Sequence, residues 1–184
     1  MSAEQLCGAK VMSAGAVEAV KVITGSSRFV ADGEKATVAH AAQELRDAFT
    51  SSTLGDGEIC GAFASGSAAP QVEIGWELVG SAPAGEPASK FTVLRMGEQA
   101  LAAPDSGIVR FACRSERLAG VSPAHIAITA EYDGVAPEPE DDKRAKRLMD
   151  AYVTVAHSVA LAMAEELGCE NNAGLPGTPD LTPK

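Results

Sequence analysis

Four isolated cysteines constrain this chain more than any other feature of its sequence. They are Cys7, Cys60, Cys113 and Cys169, and successive cysteines lie 53, 53 and 56 positions apart. Metal sites usually take at least two ligands from one short segment, and thiol redox sites usually use a C-x-x-C turn. Neither spacing occurs here. The even count and the wide spacing favour two structural disulfides, which form in oxidising compartments.

The small share of aromatic side chains limits how this chain builds its core. The chain has 184 residues, of which 46% are hydrophobic and 4% aromatic. It is long enough for one globular domain, with a core of Val, Ile, Leu, Met and Ala side chains that bury less area per residue. Cross-links would compensate, since a disulfide that closes a loop of this size contributes about 4 kcal/mol in the chain-entropy model.

The charge of the chain argues against two classes of partner. The formal net charge is −10, from 15 basic and 25 acidic residues. Nucleic acids and anionic membrane surfaces bind clustered Lys and Arg side chains, so we expect neither as a partner. No apolar stretch reaches the length of a membrane span, which predicts no direct membrane insertion by this segment.

The spacing of apolar residues changes along the chain from helical to extended and back. Helical spacing predicts helices over 14–24 and 34–49, the first capped by Ser13 and stopped by Gly25. A short extended segment is predicted over 28–30. A period of two predicts strands over 59–64, 71–79, 90–96, 108–114 and 124–132, with a loop over 97–106. A final helix is predicted over 140–167, ending at Gly168.

The order of these elements predicts an α+β fold. Strands joined by short loops, without helices between them, indicate an antiparallel sheet. We therefore expect a single domain over residues 1–170, with a sheet of about five strands covered by two N-terminal helices and one long C-terminal helix. Residues 171–184 contain three prolines and are predicted to form a disordered tail.

Four cysteines permit three disulfide pairings, and the predicted elements favour one of them. Cys7 precedes the first helix and Cys60 lies on the first strand, whereas Cys113 lies on a later strand and Cys169 follows the last helix. Pairing Cys7 with Cys60 and Cys113 with Cys169 ties a helix terminus to a strand in both cases. Four buried free thiols in a cytosolic protein are the alternative, and a metal site built from all four thiolates is a third interpretation.

The candidate catalytic residues do not form a motif. His40, His125 and His157 are the only histidines, and no two have a short metal-ligand spacing. On the strand over 71–79, Trp76 lies on the apolar face, which indicates a core residue, and Glu73 and Glu77 share the opposite face. These two carboxylates would be the centre of a hydrolase if a histidine joined them. On a strand with one exposed face, they are more often solvated.

Several short segments resemble a group of actinobacterial envelope proteins that are secreted or lipid-anchored. They include Leu6-Cys7-Gly8 ahead of an Ala/Val-rich helix, Thr24-Gly25 with Arg28-Phe29, the strand cysteine Cys113, and Leu167-Gly168-Cys169 at the end of an Ala-rich helix. The resemblance implies an extracytoplasmic location, disulfides and a sheet covered by helices, in a protein that is secreted or is a lipoprotein. It brings no catalytic residues.

These observations lead to three hypotheses about function. The first is the extracytoplasmic binding or structural module of a bacterial envelope protein, with no catalysis and no cofactor, and with a signal segment or membrane anchor preceding residue 1. Its partner would be a protein or a small apolar ligand. The second is a carrier domain that holds such a ligand between the sheet and the Ala-rich faces over 37–48 and 151–164. The third is a hydrolase with an unconventional site at Glu73 or Glu77.

Overall fold

The three helices begin and end at the residues whose side chains and backbone geometry cap them. The computed structural model describes residues 1–66 and 72–184, and places α1 at Ala14–Thr24, α2 at Val38–Phe49 and α3 at Asp142–Leu167. The α1 N-cap hydroxyl of Ser13 accepts a hydrogen bond from the Ala16 N–H at 3.1 Å. Short 3₁₀ segments at Ala3–Gln5 and Glu170–Gly174 complete the helical structure of the described residues.

The second helix begins four residues later than predicted. The hydroxyl of Thr37 accepts a hydrogen bond from the His40 N–H at 3.2 Å and caps α2 there, so residues 34–36 form a turn instead of a helical start. The final helix follows the prediction closely. The Asp141 carboxylate accepts from the Arg144 N–H at 2.7 Å, and Gly168 ends α3 with a left-handed φ of 67°.

The sheet has seven antiparallel strands in the described residues, which corrects the prediction of five, while the single-domain α+β class is confirmed. Its spatial order is β1-β2-β3-β7-β6-β5-β4. The strands are β1 Phe29–Val30, β2 Leu54–Ala64, β3 Val72–Val79, β4 Thr92–Leu94, β5 Gln99–Ala103, β6 Ser106–Cys113 and β7 Ala124–Tyr132. Gln71, the first residue of the predicted strand over 71–79, lies outside the described residues.

Two strands account for the difference in number. The β1 strand lies in the segment predicted to be extended and pairs only with the end of β2. The β5 strand lies in the segment predicted to be a loop over 97–106. Four of its five residues are buried and three are alanines, so it carries neither a period of two nor the β-branched residues that mark a strand.

All three helices lie on one face of the sheet. The longest, α3, packs against β5, β6 and β7, while α2 packs on β2 and α1 packs on α3. A Cβ atom added to Gly107 of β6 would lie 2.4 Å from the backbone nitrogen of Val153. Because Gly107 has no side chain, the backbones of α3 and β6 are in direct contact at this point, where the carrier hypothesis expected space for a ligand.

The C-terminal segment packs on the domain, where the sequence predicted a disordered tail over 171–184. Leu175 is buried, and the Nε2–H of His157 donates to the Pro176 carbonyl at 2.8 Å. Pro183 pairs with Leu94, at the open edge of β4. The prolines reduce the entropy lost when this segment becomes ordered, and the apolar contact of Leu175 stabilises its position.

Two disulfides fasten the helical layer to the sheet. Cys7 is joined to Cys60 on β2 with a Cα–Cα distance of 5.2 Å, and Cys113 on β6 is joined to Cys169 with 5.1 Å. Both distances lie in the usual range for disulfides. The two disulfides expected from the cysteine spacing are thus present, between the partners that the sequence analysis preferred. Among the described residues, no helix combines the length and the apolar character needed to cross a membrane.

Candidate binding sites

The three histidines lie in separate environments. The imidazole of His125 pairs with the Glu98 carboxylate at 2.9 Å, and that of His40 lies 3.4 Å from the Glu44 carboxylate. His157 is buried on α3, and burial lowers the pKa of its imidazole. Within residues 1–66 and 72–184, no group of three or more His, Cys, Asp or Glu side chains is placed to hold a metal ion.

Glu73 and Glu77 lie on the face of the sheet opposite the helices. In the register of the strands, Glu73 lies opposite Glu131 of β7, and Glu77 lies opposite Asp56 of β2. Burial, followed by the negative charges of Asp133 and Glu58, raises the pKa of Glu73. The structure surrounds these carboxylates with further carboxylates, and the histidine pairs that it forms involve other glutamates.

The first candidate site is a groove of about 570 Å³ between α2 and β2, called here the α2–β2 groove. One wall carries Ala36, His40, Glu44 and Ala48, spaced four residues apart along α2 and the turn before it. The other wall is formed by the consecutive β2 residues 56–60. Because neighbouring strand side chains point to opposite faces, a wall of five consecutive residues includes the backbone edge of the strand.

Within residues 1–66 and 72–184, no strand lies beside the edge of β2 that borders this groove. On one side, β3 pairs with β2 from residue 54 to residue 62. On the other side, β1 pairs only with Phe63 and Ala64. Next to these, the Gly61 N–H donates to the Asp32 carboxylate at 2.7 Å. In the part of the chain that the structure describes, residues 54–60 are therefore an open sheet edge.

Trp76 of β3, the only tryptophan of the chain, forms part of the groove. The ring lies over Gly57, its partner on β2, and a Cβ atom on that glycine would lie 2.6 Å from the indole nitrogen. Trp76 is only 4% exposed, and its Nε1–H has no hydrogen-bond partner among the described residues. An unsatisfied buried donor costs about 1–3 kcal/mol. The groove therefore offers an unused donor to a ligand that carries an acceptor.

Carboxylates predominate among the charged side chains of the groove. The charged residues that border it are Asp32, Glu44, Asp56 and Glu58, together with the basic Lys35 and His40. Asp56 and Glu58 pair with Glu77 and Gly75 of β3, so their side chains leave the strand edge on the face of the sheet away from the helices. His40 already faces Glu44, as described above. The unpaired charge that remains is mainly negative, so the groove attracts cations and basic side chains.

The second candidate site is a cavity of about 490 Å³ beside the first half of α3, called here the tyrosine cavity. It contains both tyrosines of the chain, Tyr132 at the end of β7 and Tyr152 on α3. The rest of its wall is largely apolar and includes a residue from α1, a residue from α3 and three prolines. These residues are Ile23, Leu148, Pro104, Pro137 and Pro139.

The polar groups of the tyrosine cavity converge from α3 and from the acidic segment before it. Tyr152 is 2% exposed, and burial together with the charge of Asp105 raises the pKa of its hydroxyl well above the usual range. The hydroxyl therefore stays protonated and can donate a hydrogen bond. Arg144 donates to the Val22 carbonyl at 3.0 Å and joins α3 to the end of α1. Glu138 also lines the cavity.

Sequence reasoning identified neither site, because each is formed by residues from separate elements. Trp76 was assigned to the core, where it is found, but the predicted strand over 59–64 began after Gly57, which lies within β2. The strongest signal in the sequence for these two sites was its aromatic composition. In a chain with one tryptophan and two tyrosines, all three line a groove or a cavity.

Comparisons of the chain with protein-family models, with curated proteins and with solved structures give no significant match. Function is therefore inferred from the chemistry of the two sites.

Proposed function

We propose that this chain is the extracytoplasmic binding module of a bacterial envelope protein, and that it binds a small amphipathic ligand in the tyrosine cavity without catalysing a reaction. The observation that carries this proposal is the meeting of both tyrosines in one cavity of about 490 Å³. Small-molecule sites have volumes of roughly 300–1,000 Å³ and combine an apolar wall with a few converging polar groups.

The lining indicates what such a ligand would contain. An apolar portion would contact Ile23 and Leu148, and a planar portion would stack on the two aromatic rings. A hydrogen-bond acceptor would meet the protonated hydroxyl of Tyr152. The ligand would then lie beside Tyr152, next to the point where the α3 backbone contacts Gly107 directly.

The two disulfides support the extracytoplasmic part of the proposal. Cross-links of this kind persist in oxidising compartments and are rare in the bacterial cytosol. They also hold both ends of the helical layer against the sheet. A frame fixed in this way keeps a cavity preformed, which reduces the conformational cost of binding.

The proposal is tested by native mass spectrometry of the protein purified from its own host, with a matched pair of variants. Wild-type protein is expected to carry a bound small molecule. The Leu148→Trp variant fills the cavity and is expected to lose that molecule, whereas the Val121→Trp variant, at a residue that is 94% exposed, retains it. An empty wild-type protein, or a ligand retained equally by both variants, would contradict the proposal.

A further inference from the structure

We propose that the α2–β2 groove is a second binding site, at which an extended segment of a partner protein carrying Lys or Arg side chains adds to the open edge of β2 as an additional strand. This site is independent of the tyrosine cavity, because the two share no lining residue. Its occupant is a polypeptide, and its recognition combines backbone hydrogen bonds with charge.

The open edge supplies the backbone part of this recognition. Among the residues that the structure describes, residues 54–60 pair with β3 on one side only, so alternate N–H and C=O groups on the other side face the groove. Extended peptides bind to such edges by continuing the sheet. The Asp32 carboxylate already takes this role at one position, where it accepts the hydrogen bond of the Gly61 N–H at 2.7 Å.

The helix beside the edge gives the added strand a second wall. Residues 56–60 of β2 would span about 17 Å of extended chain, which is long enough for five residues of a partner. Ala36 and Ala48 on the facing wall are small, so side chains of the partner can enter between α2 and the strand. A β-bulge between Glu58 and Cys60 bends the edge at this point, as bulges often do beside functional sites.

Trp76 provides an observation that points to a ligand independently of the edge. Its indole ring reaches from β3 across Gly57 toward the groove, and its Nε1–H lacks an acceptor in the described residues. The tryptophan is more than nine-tenths buried, so the donor is held in place before binding. A carbonyl of the added strand would satisfy this donor and recover the cost of its burial.

The charges at the groove select the side chains of the partner. Asp56 and Glu58 lie on the edge strand itself, and Asp32 and Glu44 lie beside it. Glu58 lies on the same face of the sheet as Glu73, and its charge, with that of Asp32, adds to the effect of burial in raising the pKa of Glu73. Lys or Arg side chains of a partner would offset this repulsion, whereas Asp or Glu side chains would increase it.

The experiment is a selection of random ten-residue peptides displayed against the native, disulfide-bonded protein. Enriched peptides are expected to be rich in Lys and Arg and to lack proline at their centre, because proline cannot donate to a strand edge. A selected peptide, made synthetically, should change the fluorescence of Trp76. It should also show interstrand nuclear Overhauser effects from its backbone to residues 56–59.

Two variants with a charge-matched control assign the binding energy to the groove. Replacing Asp56→Asn and Glu58→Gln together should weaken the selected peptide by about two- to tenfold. Replacing Glu116→Gln and Glu166→Gln together, at exposed positions that do not line the groove, removes the same charge and should leave affinity unchanged. Trp76→Phe removes the indole N–H together with part of the ring and should weaken a fluorescently labelled peptide by about two- to tenfold.

Three outcomes would overturn the inference. In the first, the selection enriches no peptide. In the second, the enriched peptides are acidic or proline-rich. In the third, a bound peptide gives no nuclear Overhauser effects to residues 56–59, and its affinity is the same for wild type and for the Asp56/Glu58 variant. The amide spectrum of each variant, compared with that of wild type, shows that the fold is retained. Retention of the small molecule in the tyrosine cavity is measured separately, so the two proposals fail independently.

Discussion

At the scale of the residue, the packing of Trp76 depends on the absence of a side chain at Gly57. The indole occupies the space that a Cβ atom would take, since such an atom would lie 2.6 Å from Nε1. The same glycine weakens the strand signal in the sequence, which is why the predicted strand began only at residue 59, whereas β2 begins at Leu54. Gly57 therefore makes β2 harder to predict from the sequence and also shapes the α2–β2 groove.

Gly57→Ala is expected to lower the free energy of unfolding by about 1–3 kcal/mol, because the new methyl group displaces the indole ring. Chemical denaturation measures this change, and the emission spectrum of Trp76 should shift with it. Gly177→Ala is the matched control, because a Cβ atom at Gly177 has no heavy atom within 4 Å. Equal stability of the two variants would show that the ring does not occupy this position.

His157 predicts a pH dependence with a defined sign. Burial lowers its pKa in the folded protein below the ordinary value of 6.5, so the unfolded chain binds a proton more readily than the folded one. Stability contributed by the neutral imidazole is complete above about pH 6.5 and is lost as the pH falls toward the folded pKa. Wild-type protein should therefore lose more stability than His157→Gln between pH 7.5 and pH 5.

Denaturation curves at these two pH values, recorded for both proteins, isolate the effect of this one histidine. Groups common to both proteins, such as Glu73 with its raised pKa, cancel in the comparison. Identical pH dependence in wild type and variant would contradict the buried, neutral state of His157.

At the scale of the element, sequence patterns predicted best where each face of an element has one environment. The α1 helix follows its capping residues, Ser13 and Gly25, and β7 has the bounds that its alternation predicted. The β5 strand has buried residues on both faces and no β-branched residue, so no period marks it. The α2 helix begins at Val38 and not at residue 34, because the Thr37 cap outweighs the helical pattern before it.

The candidate sites were beyond sequence reasoning for a different physical reason. The α2–β2 groove exists because β1 covers only the last residues of β2, and the length of β1 follows from tertiary packing. The tyrosine cavity requires the end of β7 to meet the first half of α3. Local periodicity contains no information about which strand edges remain unpaired or which element ends meet.

The C-terminal segment gives the prediction that belongs to this scale. Leu175→Ala should lower the free energy of unfolding by about 2 kcal/mol, because the side chain is buried against the domain. The control is Leu54→Ala, at a residue that is 63% exposed, which should change stability by less than about 0.5 kcal/mol. Thermal or urea denaturation decides between a docked segment and the disordered tail that the sequence predicted, since a disordered tail would make both changes equally small.

At the scale of the whole molecule, two cross-links join a helical layer to a sheet that has few aromatic side chains. One disulfide borders the α2–β2 groove through Cys60, and the other fixes the end of α3 to β6 through Cys113. Each restricts the unfolded chain, which stabilises the folded state by about 4 kcal/mol in the chain-entropy model. The proposed compartment, the preformed cavity and the fixed strand edge all depend on these two bonds.

The measurement that tests this dependence most directly is a non-reducing peptide map of the protein purified from its host, with free thiols alkylated before digestion. We predict two cross-linked fragments, one joining the peptides of Cys7 and Cys60 and the other joining those of Cys113 and Cys169. Four cysteines recovered in alkylated form, or fragments that join other pairs, would contradict the account.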